Sequence, residues 1–199
     1  MTGIQALERI APPKPVRPGL VERREFEYER HGTQSLIANF EIATGQVIAP
    51  SLGPTRTEVD FVRHIAQTIA LDAEGNWVFI VDQLNTHQSE GLVHLVAQDC
   101  ELTEELGVKG ETGILQSMAT RAAFLSDASH RIQFVYVPKH TSWLNPVELW
   151  FSILMRRVLK RGNFASVAEL RARILEFIAY FNQTAKPFKW LHTGRPLVI

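Results

Sequence analysis

The sequence predicts an α/β fold, a mixed sheet flanked by helices, and three patterns in the 199-residue chain carry that prediction. Residues 34–42 alternate, with Leu36, Ala38, Phe40 and Ile42 on one side and Ser35, Ile37, Asn39 and Glu41 on the other. After a Thr44-Gly45 turn, Val47-Ile48-Ala49 returns, which makes a β-hairpin. Trp77-Val78-Phe79-Ile80-Val81 is a continuous apolar run ending at Asp82, the pattern of a strand buried on both faces. Ile132-Gln133-Phe134-Val135-Tyr136-Val137 is a second such strand, followed by a basic helix.

The elements follow in order. Residues 1–31 read as an irregular meander, since Pro12, Pro13, Pro15 and Pro18 stop regular structure and residues 23–30 mix charges without an apolar stripe. After the hairpin, Thr57 caps a helix striped by Val59, Val62, Ile65, Ala66 and Ile69. Beyond Asp82, Asn85 or Thr86 caps a helix carrying Leu92, Val93, Leu95 and Val96. Residues 99–130 read as an insertion, acidic at first, then punctuated by Gly107, Gly110 and Gly113, then helical from about residue 114 to 125. Ser166-Val167-Ala168-Glu169 is a capping box opening a helix striped by Val167, Leu170, Ile174, Phe177, Ile178 and Phe181. The tail from Thr184 is expected to run extended over the surface.

Composition narrows the function classes. With 45% hydrophobic and 21% charged residues, the chain is expected to fold as one domain, 1–199. No apolar run approaches the roughly 20 residues that span a bilayer, and no signal pattern opens the chain, so a cytoplasmic protein with no membrane partner is expected. A single cysteine, Cys100, excludes an internal disulfide and any multi-cysteine zinc site. The zero net charge conceals an asymmetry. Residues 1–31 hold 6 basic and 5 acidic residues, 32–138 hold 5 and 13, and 139–199 hold 10 and 3, giving +1, −8 and +7. The basic C-terminal third suits a polyanion. Neither a Gly-x-x-x-x-Gly-Lys-Ser/Thr loop nor a Gly-x-Ser-x-Gly elbow is present, which disfavours ATP hydrolysis and serine-ester chemistry.

Two carboxylates have defined addresses. Asn145 as N-cap and Pro146 as first helical residue put Glu148 at the third helical position. Asp82 ends one strand and Glu148 follows the end of the next, where ligands collect in sheets with parallel strands. Facing carboxylates would repel unless Mg²⁺ or Mn²⁺ lay between them, and a metal pair is what in-line phosphodiester chemistry uses. Each residue also has a plain structural reading: Glu148 as the closing half of a capping box with Asn145, Asp82 as an Asx turn, His87 as a capping residue. Asn85 and His87 are candidates for positioning a phosphate. Lys139 and His140 precede the helix, and Arg156, Arg157, Lys160 and Arg161 lie on it, with 156 and 160, and 157 and 161, one turn apart. These form a candidate DNA surface, or else a solvated helix face. Lys186, Lys189 and Arg195 add to the candidate surface. A small-molecule α/β enzyme with a closed apolar pocket also stays open on fold logic.

Two stretches together carry a family resemblance: Ile80-Val81-Asp82-Gln83-Leu84-Asn85-Thr86-His87, and Pro138-Lys139-His140-Thr141-Ser142-Trp143-Leu144-Asn145-Pro146-Val147-Glu148-Leu149-Trp150-Phe151. They resemble the catalytic domain of bacterial insertion-sequence transposases of the mariner-like superfamily. Ile4-Gln5-Ala6-Leu7-Glu8-Arg9, Arg30-His31-Gly32-Thr33 and the closing residues 186–197 resemble it too. The resemblance implies a ribonuclease-H-like fold and a DDE or DDD triad holding two Mg²⁺ or Mn²⁺ ions. It implies cleavage at transposon ends and joining to target DNA, within a homo-oligomeric complex that is nucleoid-associated when bound. Asp82 matches the second acid and Glu148 the third, and the 65 residues between them are extended by the 99–130 insertion. In relatives the first acid ends a strand just before the segment that residues 1–8 resemble, so the domain is expected to be truncated at its N-terminus, to lack that first, central strand and its acid, and to hold an incomplete two-metal site. The alternative is a catalytically silent remnant that serves as a DNA-binding or subunit-interaction module. The resemblance also implies that the first strand lies between residues 34–42 and 77–82. That gap is expected to be empty, collapsed, or filled from residues 1–31, and the chain to be marginally stable.

Overall fold

A computed structural model describes residues 1–12, 14–23, 25–138 and 145–189. Lys139, His140 and Arg195 lie outside the described residues. Residues 1–31 are not an irregular meander throughout. Ile4–Arg9 forms strand β1, with Ile4 and Ala6 buried, and it pairs antiparallel with the first half of β2, Tyr28–Phe40. The prolines punctuate only the arm between these strands, where Lys14 bridges Arg23 and Arg17 bridges Leu20. Between Ala6 and Leu7 the register slips, which leaves His31 as the extra residue beside Gly32 at φ 137°. The second half of β2 pairs antiparallel with β3, Val47–Gly53, completing the expected hairpin in the order β1-β2-β3.

Helix α1, Glu58–Ile69, starts as expected at Thr57, whose hydroxyl accepts from the Asp60 N–H while the Asp60 carboxylate accepts from the Thr57 N–H. Its buried face is Phe61, His64, Ile65, Thr68 and Ile69, rotated from the expected stripe so that Val59 is exposed. The reason is polar: Ser51 on β3 meets His64 Nδ1 at 2.9 Å, and Asn39 on β2 donates to Thr68 Oγ1 at 2.7 Å.

Strand β4, Trp77–Val81, pairs in parallel with β5, Ile132–Tyr136. Phe79 and Val81 are buried, but Val78 is 60% exposed and Ile80 39%, so the expected burial on both faces is wrong. Among the described residues, helices cover one face of this pair only. The next helix is capped by Ser89, not by Asn85 or Thr86, which lie in a 3₁₀ turn. Helix α2, Glu90–Asp99, then packs on β4 and β5 through Leu92, Val93 and Val96. Within residues 99–130 the helix is α3, Met118–Leu125, capped by Ser117. Leu115, Phe124 and Leu125 join the same core.

A second core lies under β1, β2 and β3, made with Trp150, Phe151 and Leu154 of α4, Pro146–Leu154, and Leu170, Ile174 and Ile178 of α5, Val167–Gln183. Ser166 caps α5 as expected, but the Glu169 carboxylate accepts from the Ala165 N–H instead of closing the box on Ser166. Helix α4 runs into a π turn, Met155–Leu159, with the Lys160 N–H donating to the Met155 carbonyl at 2.8 Å. The wider turn changes the angle between Arg156 and Lys160, and between Arg157 and Arg161, but keeps each pair about one turn apart. The tail crosses β2, where Phe188 donates to the Ile42 carbonyl and stacks edge-on against Phe40.

The two sheets are separate, and a groove of about 440 Å³ runs between β2 and β4. Leu36 spends its outward N–H and C=O on Met1, at 2.9 and 2.8 Å. Ala38 and Phe40 follow on the same edge. Opposite them, Trp77 and Val81 bond toward β5, which leaves Val78 and Ile80 facing the groove. The expected gap is therefore present and open along most of its length, and no strand of the described residues fills it.

Candidate active site at the end of the groove

Asp82 follows the last residue of β4, so its backbone leaves the sheet where its side chain reaches the groove. The side chain is 43% exposed, and Oδ1 lies 2.8 Å from Nδ1 of His87, whose side chain is only 16% exposed. The Leu84 N–H also donates to Oδ1, at 3.3 Å, which is the Asx turn expected of a strand-ending aspartate. The structural reading of Asp82 thus holds, and it does not use Oδ2. The His87 hydrogen bond first, with the His87 charge, the Leu84 N–H and the Arg56 charge, holds the Asp82 carboxyl below its ordinary range, against burial, the second-largest effect. His87 is fixed by its ring 4.3 Å from that of Phe61 and by its carbonyl, which accepts from Tyr136 Oη at 2.8 Å. Burial pushes the Tyr136 phenol upward, so that hydrogen stays in place.

Glu148 stands in the first turn of α4 as the sequence predicts, but no capping box forms. Asn145 Oδ1 accepts from the Val147 N–H at 3.2 Å, and among the described residues the exposed Glu148 carboxylate has no hydrogen bond. Asn145 Nδ2 donates across the groove to the Ile80 carbonyl at 3.3 Å. Asp82, His87, Arg56 and Glu148 all line this groove. The Met1 amino group feels two of these four: burial and the Arg56 charge weaken its hold on its proton, and Glu148 opposes them.

Arg56 is the residue that sequence reasoning missed. It lies in the loop between β3 and α1 and carries no motif; its one signal was a lone cation just before the Thr57 cap. Asn85 lies in the 3₁₀ turn with His87, but Asn85 does not line the groove, whereas His87 does. Arg156, Arg157, Lys160 and Arg161 are all exposed, and Arg156 Nε turns back to the Ser152 carbonyl at 3.2 Å.

Asp82 Oδ2 and the Glu148 carboxylate, without a hydrogen bond among the described residues, are hard, anionic donors of the kind Mg²⁺ or Mn²⁺ takes, so the donor chemistry fits such an ion with two protein carboxylates. A different group, Glu8, Glu29 and His31 on β1 and β2, brings three ligand atoms within 4.8 Å of one another.

The class is that of a mixed α/β domain with two carboxylates, Asp82 and Glu148, lining an inter-sheet groove. The family model for DDE superfamily endonucleases matches residues 2–171, and the chain belongs to that family. The assignment makes its general chemistry that of a transposase-type nuclease acting on DNA, in a family that normally works with divalent metal ions. A search of curated proteins and a search of solved structures each found no match. No helix among the described residues is long and apolar enough to cross a membrane.

Proposed function

We propose that this chain is the catalytic domain, 1–199, of a bacterial insertion-sequence transposase of the mariner-like superfamily. It would cut phosphodiester bonds at transposon ends and join them to target DNA within a homo-oligomeric complex. One observation carries the reading: in a DDE endonuclease chain, Asp82 and Glu148, whose carboxylate has no hydrogen bond among the described residues, line the same groove. Asp82 and Glu148 would hold Mg²⁺ or Mn²⁺, which supplies charge stabilisation at the attacking and leaving oxygens. His87 orients Asp82 and keeps it ionised, and Arg56 adds positive charge where a phosphate would sit. Arg156, Arg157, Lys160 and Arg161, with Lys139, His140, Lys186 and Lys189, would bind the DNA backbone through phosphate contacts.

The test is nicking of supercoiled DNA and of transposon-end duplexes with Mn²⁺. Activity lost in Asp82→Ala and in Glu148→Ala supports the catalytic reading. DNA binding without any metal-dependent nicking would overturn it in favour of the silent-module reading, in which Asp82 and Glu148 without the first acid of the triad hold the metals poorly. Binding neither DNA nor metal would remove both.

A further inference from the structure

A second pocket, of about 460 Å³, opens where the π turn meets α5, away from the strands that carry Asp82. Arg157, Arg161 and Arg173 line it together with Asn163, Phe177 and Tyr180. Three guanidiniums around one concavity make a local positive field. Arg173 is partly answered by Glu176 at 2.8 Å, while Arg157 and Arg161 have no carboxylate partner among the described residues. The turn that shapes the pocket is specific to glycine: a Cβ on Gly162 would come within 2.2 Å of the Phe164 ring and 2.7 Å of the Val158 carbonyl. Asn163 Oδ1 accepts from the Arg9 N–H at 2.6 Å, which ties this rim to β1. Tyr180 is 63% exposed, an aromatic face beside the arginines that packing does not require.

We infer that this pocket binds one unpaired nucleotide of the DNA substrate. The phosphate is held by Arg157, Arg161 and Arg173, and the base lies against Tyr180 and Phe177. Arginine forks suit phosphate oxygens, and an exposed aromatic ring accepts any base face. A duplex backbone would use only the cations and leave the ring idle. Arg157 is nine residues beyond Glu148 on the same helical run, roughly 13 Å along the axis at about 1.5 Å per residue. At about 3.4 Å per phosphate that is some four nucleotides from the carboxylates. The inference rests on the DNA-cleaving reading for its ligand class, shares Arg157 and Arg161 with the backbone surface proposed above, and adds Arg173, Phe177 and Tyr180, of which Tyr180 separates the two.

The experiment is fluorescence anisotropy of the full chain with a labelled thymidine 12-mer and a duplex of equal length, without metal, over a series of salt concentrations. Tyr180→Ala should lower affinity for the 12-mer about tenfold and leave the duplex unchanged. Replacing Arg157 and Arg161 by alanine should weaken both ligands and reduce the salt slope for the 12-mer by one to two phosphates, or about 0.7 to 1.4. Tyr180→Phe should bind as the parent does. Equal loss for duplex and single strand in Tyr180→Ala, or no loss, would overturn the nucleotide pocket. If the 12-mer and duplex bind and respond only to changes elsewhere, the pocket proposal alone fails. If neither DNA binds the parent chain, the DNA-cleaving reading fails with it.

Discussion

The two halves of the molecule bury their cores in different ways. In the β1-β2-β3 half, Leu36, Val47 and Trp150 are buried between the sheet and α4 and α5, and the sheet has three strands to share the backbone hydrogen bonds. The β4-β5 half has two strands, packs α1, α2 and α3 onto one face, and leaves Val78, Ile80 and Val135 exposed on the other. A two-stranded pair is marginal by itself, so this half depends on its helices more than the first does. Across the groove the halves are joined by side chains: Asn39 and Ser51 reach α1, and Asn145 reaches β4. The candidate active site lies where this connection is thinnest, since Asp82 belongs to one half and Glu148 to the other.

The largest test of the contrast is a core truncation in each half. Phe134→Ala and Trp150→Ala remove fully buried rings and should each cost about 3–5 kcal/mol in denaturant unfolding. Phe134→Ala should speed amide exchange in β4 and β5 well before it does so in β1–β3. Equal acceleration in both halves would show a single cooperative unit across the groove.

A somewhat smaller effect concerns α1, which packs in the second half but bonds to the first. His64 is 1% exposed, and burial lowers its pKa from 6.5 to about 4. The unfolded chain therefore binds a proton between these values that the folded chain does not. Stability should be full above pH 6.5 and fall as pH drops toward 4, by on the order of 3 kcal/mol. In His64→Leu that slope between pH 6.5 and 4 should flatten, at some cost in stability at neutral pH from the lost Ser51 contact. An unchanged slope would assign the acid sensitivity to other groups.

What was legible in the sequence separates along the same line. The caps at Thr57, Asn145 and Ser166 and the strands ending near Asp82 and Tyr136 follow from local chemistry, and they stand where expected. Strand β1 was not legible, because the prolines of its arm hide an antiparallel partner about 25 residues away in sequence. The apolar run of β4 announces a strand but cannot say that only one face is covered. Likewise, the spacing of Arg156 to Arg161 could not reveal a π turn, nor could a lone cation at Arg56 reveal its place beside Asp82. The Asp82 and Glu148 positions themselves were readable, since each sits at a fixed distance from a strand end or a cap.

A third effect addresses the groove directly. A chain lengthened before Met1 by five residues alternating valine and threonine would continue the β1 ladder along Ala38 and Phe40 and meet Val78 and Ile80 on the far side. Four new N–H bonds at about 1 kcal/mol net each, less part of the cost of ordering the added residues, should add about 2 kcal/mol and protect those four amides from exchange. The same extension with a central proline should do much less. If the four amides are already protected in the unextended chain, the halves close against each other in solution.

The smallest effect isolates the one side chain that bridges the halves at the carboxylates. Asn145 has two separable duties: its oxygen caps α4 through the Val147 N–H, and its amide nitrogen donates to Ile80 across the groove. Asn145→Ala loses both, and the cap alone should cost about 1 kcal/mol. Asn145→Ser keeps a capping oxygen but is too short to reach β4, so it should recover most of the helix stability while leaving the Ile80 carbonyl without that donor. The bridge is long and partly solvated, so its own contribution to global stability should be no more than about 0.5–1 kcal/mol. Its signature is positional: if Asp82 and Glu148 hold Mn²⁺ as proposed, affinity for that ion in Asn145→Ser should fall more than unfolding free energy does, because the two carboxylates are no longer tied to a common point. If Asn145→Ser matches the parent in metal affinity, packing of α4 on β2 alone sets the position of Glu148.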